Sequence, residues 1–281
     1  MANLNLGQRI NLDEGNAKII NGDWIDDIRS ICPELNIEFM SPNRLTFTDT
    51  ADTYITFKTI DWVPVSFSQI KSSEDSWTYN MKCHPKQVHN PIYTPCIDTF
   101  SLASAMGLTI SPDSENLKIP CPIRNLYSGF MIQEIRKQSM NIAASNGNIG
   151  DAYMIYFDGK QFYSCTWDTL LKNYARSLDQ VIPELNGTNI VKYVQDEIAT
   201  DLCAVQHPKV FGYNAYLYRM MKEKIDFVST QPLGFTNMYT VRFADTSDLD
   251  QPTKMMCIRS KFNFTQANGF NSTLCRITTE I

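Results

Sequence analysis

Four side chains able to ligate a soft metal lie within one short stretch, CHPKQVHNPIYTPC, as Cys83, His84, His89 and Cys96. Two thiolates and two imidazoles would complete a zinc set. The neighbouring residues oppose closure. Cys83 falls on the inward side of an alternating strand, which turns the adjacent His84 to the other face. Pro85, Pro91 and Pro95 stiffen the loop that would have to wrap the ion. The expectation is a surface histidine pair and two buried thiols. Cys203 and His207 are four apart, in or just after a helix-like run, and could face each other as a nucleophile and base. A reactive cysteine gains most from a helix N-terminus, however, and Cys203 lies toward a C-terminal end. It reads as a core cysteine, and His207 as a capping residue. The paired carboxylates Asp26–Asp27 and Asp248–Asp250 read as solvated charges, since the sequence cannot set two carboxyls at a glycosidase separation. The tyrosines of GYNAYLYRMM (Tyr213, Tyr216, Tyr218) could stack bases or sugars, but at helical spacing they read as packing residues.

The remaining motif searches return nothing. There is no G-x-x-x-x-G-K-[ST] and no G-x-S-x-G. The three histidines make no H-E-x-x-H. The glycine-rich NGNIG precedes a strand instead of joining strand to helix, which is the wrong order for a dinucleotide turn. The expected catalytic, cofactor-binding and metal-binding residues are therefore none, with no cofactor and no enzymatic activity.

Composition narrows the class. The chain has 281 residues, 43% hydrophobic and 20% charged, enough for a substantial core and unlike a disordered segment. Thirty acidic and 25 basic residues leave a formal charge of −5. The densest basic cluster is only Arg219, Lys222 and Lys224, so no general attraction for nucleic acid is expected. MANLNLGQRINLDEG lacks the apolar core of a secretory signal, and no run approaches the roughly 18 apolar residues of a membrane span. Synthesis in a cytoplasm without integral membrane association follows as the expectation. The eight cysteines are dispersed, with no C-x-x-C pair, and most sit in apolar runs as free thiols. Asn186, Asn263 and Asn271 begin N-x-[ST] triplets, which carry no meaning without a secretory route.

The elements that must position these residues follow from periodicity. Trp24, Ile28, Ile31 and Leu35 mark a short amphipathic helix cut by Pro33. From Leu45 the period becomes two: Val63, Val65 and Phe67, then Trp77, Tyr79, Met81 and Cys83, lie on half-buried antiparallel strands. The proline-rich stretch then carries the chain out of the sheet. DTFSLASAMG (Asp98 to Gly107) reads as a helix with Gly107 at C′, and Tyr127 to Met140 as a second. AYMIYFDGKQFYSC is strand-like, and Thr166 caps a helix carrying Trp167, Leu170, Leu171, Tyr174 and Leu178. Val191, Val194, Ile198 and Leu202 suggest another helix. Beyond Phe235 the period returns to two, through Tyr239, Val241 and Phe243, then Met256, Ile258, Phe262 and Phe264, with a final strand in NSTLCRITT. The order is sheet, helical middle, sheet, in one α+β chain. Its expected regions are 1–95, 96–234 and 235–281.

Three stretches resemble the baseplate hub proteins of contractile-tailed phages, a family similar to the spike proteins of type VI secretion. They are Ile97 to Leu171, ending YMIYFDGKQFYSCTWDTLL; KMMCIRSKFNFTQANGFNSTLCRI; and the alternating sheet from Leu45 to Cys83. The resemblance implies two tube-type antiparallel β-domains, joined by a helix-rich α/β middle segment. It further implies a homotrimer whose six β-domains ring a DNA passage, between the hexameric tail tube and the central spike. Its partners would be the tail tube protein, the spike protein and other baseplate proteins. Its place would be the virion tail, assembled in the host cytoplasm. An acidic chain with scattered Lys and Arg suits a ring through which DNA slides. The chain is shorter than many hubs, so an additional peripheral domain is not expected, nor is an appended lysozyme or peptidase. The strands from Met255 to Phe264 and from Asn271 to Thr279 are the expected ring-forming elements. The alternatives are another tail or neck adaptor, and a Cys/His hydrolase acting on the cell wall.

Overall fold

In a computed structural model the described residues are 9–15, 17–42, 44, 54–73, 76–120, 126–172, 190–195, 213–229, 233–241, 253–265 and 270–279. The fold is α+β, with sixteen strands and four α-helices among those residues.

The N-terminal part contributes β1 (Arg9–Asn11), β2 (Lys18–Asp27), β3 (Glu34–Ser41), β4 (Tyr54–Phe57), β5 (Ile60–Ser73) and β6 (Ser76–Pro85). In β3 the alternation is strict: Leu35, Ile37 and Phe39 are buried between less buried Glu34, Asn36 and Glu38. An α/β module follows. It holds β7 (Pro91–Ile92), α1 (Thr99–Ala105), β8 (Thr109–Ile110), β9 (Leu126–Tyr127), α2 (Ser128–Ser145), β10 (Tyr153–Phe157), β11 (Gln161–Thr166) and α3 (Trp167–Lys172). The chain then returns through β12 (Ile190–Gln195), α4 (Tyr213–Met220), β13 (Met221–Ser229), β14 (Met238–Val241), β15 (Thr253–Asn263) and β16 (Phe270–Ile277).

N-terminal and C-terminal strands share one 11-stranded sheet, ordered β1-β4-β5-β6-β3-β2-β15-β16-β13-β12, with β14 also on β15. Every pairing is antiparallel except β1 with β4. The two halves join where β2 meets β15, with Trp24 opposite Phe262 and Asp27 opposite Arg259. One apolar cluster, with Leu35, Phe39, Trp62, Tyr79 and Met81, fills the N-terminal half. A second lies inside the α/β module around Leu102, Ile132, Ile135 and Phe162. A third, holding Ile28, Trp167, Leu217, Met256 and Cys275, lies at the seam between module and sheet. Helix α1 has the cap its sequence announces. Asp98 accepts from the Ser101 amide at 2.7 Å in a capping box, and Gly107 follows the C-cap with φ +71°.

The structure departs from the sequence reading in four places. Trp24 to Leu35 is not a helix but the end of β2, a turn and the start of β3. Its helix-like spacing arises because Trp24 and Leu35 face each other across the two strands, while Ile28 and Ile31 are buried in or beside the intervening turn. Ile190–Gln195 is a strand paired with β13, as its β-branched run favours; Ile198 and Leu202 lie outside the described residues, as do Tyr174, Leu178 and Phe243. In β5 a bulge between Pro64 and Ser66 breaks the expected alternation, and Val65 and Phe67 are both exposed. Finally, β15 and β16 are paired on both sides within the subunit, so neither offers a free edge for ring formation.

Two local devices tie the β4–β5 turn and β4 to the C-terminal half of the sheet. The β4–β5 turn places Lys58 (φ +50°) and Thr59 (φ +62°) in the left-handed region, at about 1 kcal/mol each. Asp13 answers this by accepting from both their amides, at 2.8 and 3.0 Å. The Lys58 ammonium lies 4.3 Å from the Phe262 ring centroid, tying the turn to the far half of the sheet. Phe264 also reaches back to pack, tilted, against Phe57, with centroids 4.7 Å apart. It passes directly over Gly22, where a Cβ would stand 1.9 Å from the ring.

Candidate functional site

The groups singled out by their chemistry are dispersed. Cys83 is fully buried in the core of the N-terminal half, whereas Cys96 belongs to the core of the α/β module. Only His84 and His89 come together, with rings stacked at 6.0 Å. Burial lowers both pKa values, and for His84 the charge of His89 adds to the effect. Among the described residues no group of three or more His, Cys, Asp or Glu is arranged to hold a metal ion. Burial also pushes the Cys32, Cys257 and Cys275 thiols up to about 12 and Cys83 higher still, the reverse of what a thiolate nucleophile requires. Cys203, His207, Asp248 and Asp250 lie outside the described residues. Tyr213 and Tyr216 pack in the seam cluster.

Asp26 and Asp27 separate. Asp27 is largely covered rather than solvated, and pairs with Arg29 and, at 3.8 Å, with Arg259. Asp26 is not solvated. It points into the seam, where its carboxylate accepts from the Tyr156 hydroxyl at 2.6 Å and the Trp24 indole at 3.0 Å. Its spacing of two from Trp24 places it on that residue's side of β2, a signal the sequence reading missed. It lines a cavity of about 410 Å³ between sheet and module, with Asp113, Asp158, Tyr163, Phe235 and Asn237 among the other walls. Among the described residues no Lys, Arg or His lines this cavity. Burial raises the Asp26 pKa to about 6, against the lowering effect of its two donors, with the Asp158 charge as a lesser upward push. Tyr156 moves well above its ordinary value, again chiefly through burial. The site can hold a proton near neutral pH.

The surface is more suggestive than the cavity. Ile70 is 67% exposed on β5, where Val65 and Phe67 are also open. On the module, Tyr93, Ile97, Tyr127 and Phe130 are all more than half exposed. Tyr127 pairs with Pro91 at the β7–β9 ribbon and Phe130 lies in the first turn of α2, so the β7–β9 corner carries much of this apolar surface. Surfaces of this kind mark contacts with other chains. Among the described residues the main sheet ends at β1 and at β12, and sheet ends are templates for further pairing.

With this geometry in view, the comparisons agree on architecture. The chain superimposes on the 43 kDa tail protein of prophage MuSo2 from Shewanella oneidensis with a TM-score of 0.51, at 8% identity, covering 92% of this chain and 96% of that one. It superimposes on the prophage tail protein gp18 from Listeria monocytogenes EGD-e with a TM-score of 0.50, at 8% identity, covering 92% and 89%. No family model and no curated protein matches the sequence. The chain therefore has the fold of these prophage tail proteins over nearly its whole length.

Proposed function

We propose that this chain is a structural, non-catalytic component of a phage tail, and that within the tail it is the baseplate hub. In this reading three copies close a ring around the DNA passage, between the tail tube protein and the central spike protein, in contact with other baseplate proteins. Each copy contributes two β units, its N-terminal strands and its C-terminal strands. The observation that carries the proposal is the shared sheet. The two halves lie side by side across the β2–β15 pairing, so one subunit would span two successive segments of a ring, and among the described residues the sheet's ends at β1 and β12 are left for neighbouring copies. Ring closure would cover those ends, which an isolated subunit leaves open to aggregation. The tail-protein fold and the net charge of −5 accord with this role.

The native mass tests it. Light scattering should return three copies of the 32.1 kDa chain. Prolines placed at Tyr193 and Val194 in turn should separate folding from assembly. Adjacent amides of a strand point to opposite sides, so one variant disrupts pairing with β13 while the other blocks only the outer edge of β12. The second should remain folded but lose the trimer. Lys160→Ala, at the exposed β10–β11 turn, should leave it intact. A monodisperse wild-type monomer at high concentration would refute the hub.

A further inference from the structure

The cavity at the seam is assembled from segments far apart in the chain, yet its walls share one chemistry. Its floor is a single face of the β10–β11 hairpin, where Met154 stands opposite Cys165 and Tyr156 opposite Tyr163. Each of these two tyrosines holds a carboxylate at its hydroxyl. Tyr156 donates to Asp26 at 2.6 Å, and Tyr163 donates to Asp158 at 3.0 Å. Phe235 forms a side wall, its ring 4.8 Å from that of Tyr156, and Leu170 adds apolar surface. Pro112 and Asp113, both exposed, bring the cavity to the surface of the molecule.

Asp26 and Asp158 lack a counter-charge. Among the described residues no Lys, Arg or His lines the cavity or pairs with either carboxylate, and the charge of Asp158 bears on Asp26 uncompensated. Both keep acceptor capacity. An ionised carboxylate offers about four lone-pair sites. Asp26 fills two, with the Tyr156 hydroxyl and the Trp24 indole, and Asp158 fills three, with the Tyr163 hydroxyl and the amides of Lys160 and Gln161. We propose that this cavity binds a small organic cation, a primary ammonium head on a short apolar body, with the head donating to Asp26 and Asp158 and the body lying against Phe235, Met154 and Leu170. The aromatic walls favour a cation as well as an apolar group. A volume of about 410 Å³ is in the range of small-molecule sites and exceeds what a bare ion needs. A metal ion suits the walls less, since among the described residues no three His, Cys, Asp or Glu are arranged to hold one. The ligand would bridge the sheet, through Asp26, to the module, through Asp158.

The test is calorimetric titration of the whole chain with phenethylammonium chloride, at constant ionic strength and about pH 8, where Asp26 is ionised. Phenethyl alcohol serves as the neutral isostere. The amine should bind saturably and about tenfold or more tightly than the alcohol, because only the amine makes charge-assisted bonds to the carboxylates. Asp158→Asn keeps an acceptor for the Lys160 and Gln161 amides but removes the charge, and should weaken amine binding about tenfold or more. Asp151→Asn, at an exposed carboxylate outside the cavity, should leave amine binding unchanged. No saturable binding of the amine, or equal affinities for amine and alcohol, would overturn the proposal. So would amine binding untouched by Asp158→Asn or weakened as much by Asp151→Asn. The comparison of amine with alcohol uses the wild-type protein and stands even if a variant fails to fold.

Discussion

Replacing Asp26 with Asn isolates the cost of one desolvated carboxylate. Its pKa rises from 3.8 to about 6 in the folded protein. At 1.36 kcal/mol per unit this makes the folded state about 2–3 kcal/mol less stable at neutral pH than it would be with the group protonated. The sign follows from a folded pKa above the unfolded one. The folded protein binds the proton more tightly, so the benefit is full below about pH 4 and is lost as pH rises through 6. Asn keeps an acceptor for Tyr156 but loses the one for the Trp24 indole, a deficit of about 1 kcal/mol that does not depend on pH. Urea unfolding of both proteins from pH 4 to 8 separates the two effects. The stability of Asp26→Asn relative to wild type should climb by about 2–3 kcal/mol between pH 4 and 7 and then stay level. A difference that is flat across this range would refute the claim that burial dominates this carboxylate. A difference that falls with pH would mean that a cation near Asp26 outweighs burial.

Asp13→Ala leaves the left-handed Lys58–Thr59 turn without its acceptor and should cost about 1–3 kcal/mol in urea unfolding. Adding Thr59→Gly, which removes one left-handed side chain, should recover about 1 kcal/mol of that loss. No recovery would show that the turn's conformation is not what Asp13 supports. Gly22→Val drives a side chain into the Phe264 ring and should cost about 2–3 kcal/mol by thermal unfolding. Combined with Phe264→Ala the two losses should be clearly less than additive, and simple additivity would show that the ring does not depend on the glycine.

Legibility in the sequence tracked how local the determining contacts were. The helix from Asp98 to Gly107 was readable because its capping residue, its apolar face and its terminal glycine all lie within ten positions. Tyr79, Met81 and Cys83 were readable because alternation is a nearest-neighbour signal. The β2–β3 hairpin was lost when residues across a turn mimicked helical spacing, although ELNIEFMS alternates plainly once Leu35 is read forward with Ile37 and Phe39. The bulge in β5 has no local signature beyond Pro64. The joining of the two sheets depends on β2 meeting β15, more than two hundred residues apart, and no pattern within either strand names its partner. Arg136 carried a weak signal that went unread. It sits four residues from Ile132 and Met140 on the apolar stripe of α2, where a charge is out of place unless something distant receives it.

The seam explains why those unread residues matter. Asp26 belongs to the sheet and is held by Tyr156 of the module, while Arg136 belongs to the module and is held by carbonyls of the β2–β3 turn. Each unit thus sends one ionisable group into the other at the same junction. Apolar contacts alone tolerate small slips between packed surfaces, because burial is non-directional. A guanidinium seated on two carbonyls and a carboxyl seated on a phenol and an indole tolerate little, since any displacement strands a buried polar group. The register of the module on the sheet is therefore fixed by directional bonds. That rigidity suits a subunit proposed to sit where a tube of one symmetry meets a spike of another, and it provides a structural cause for burying these two charges.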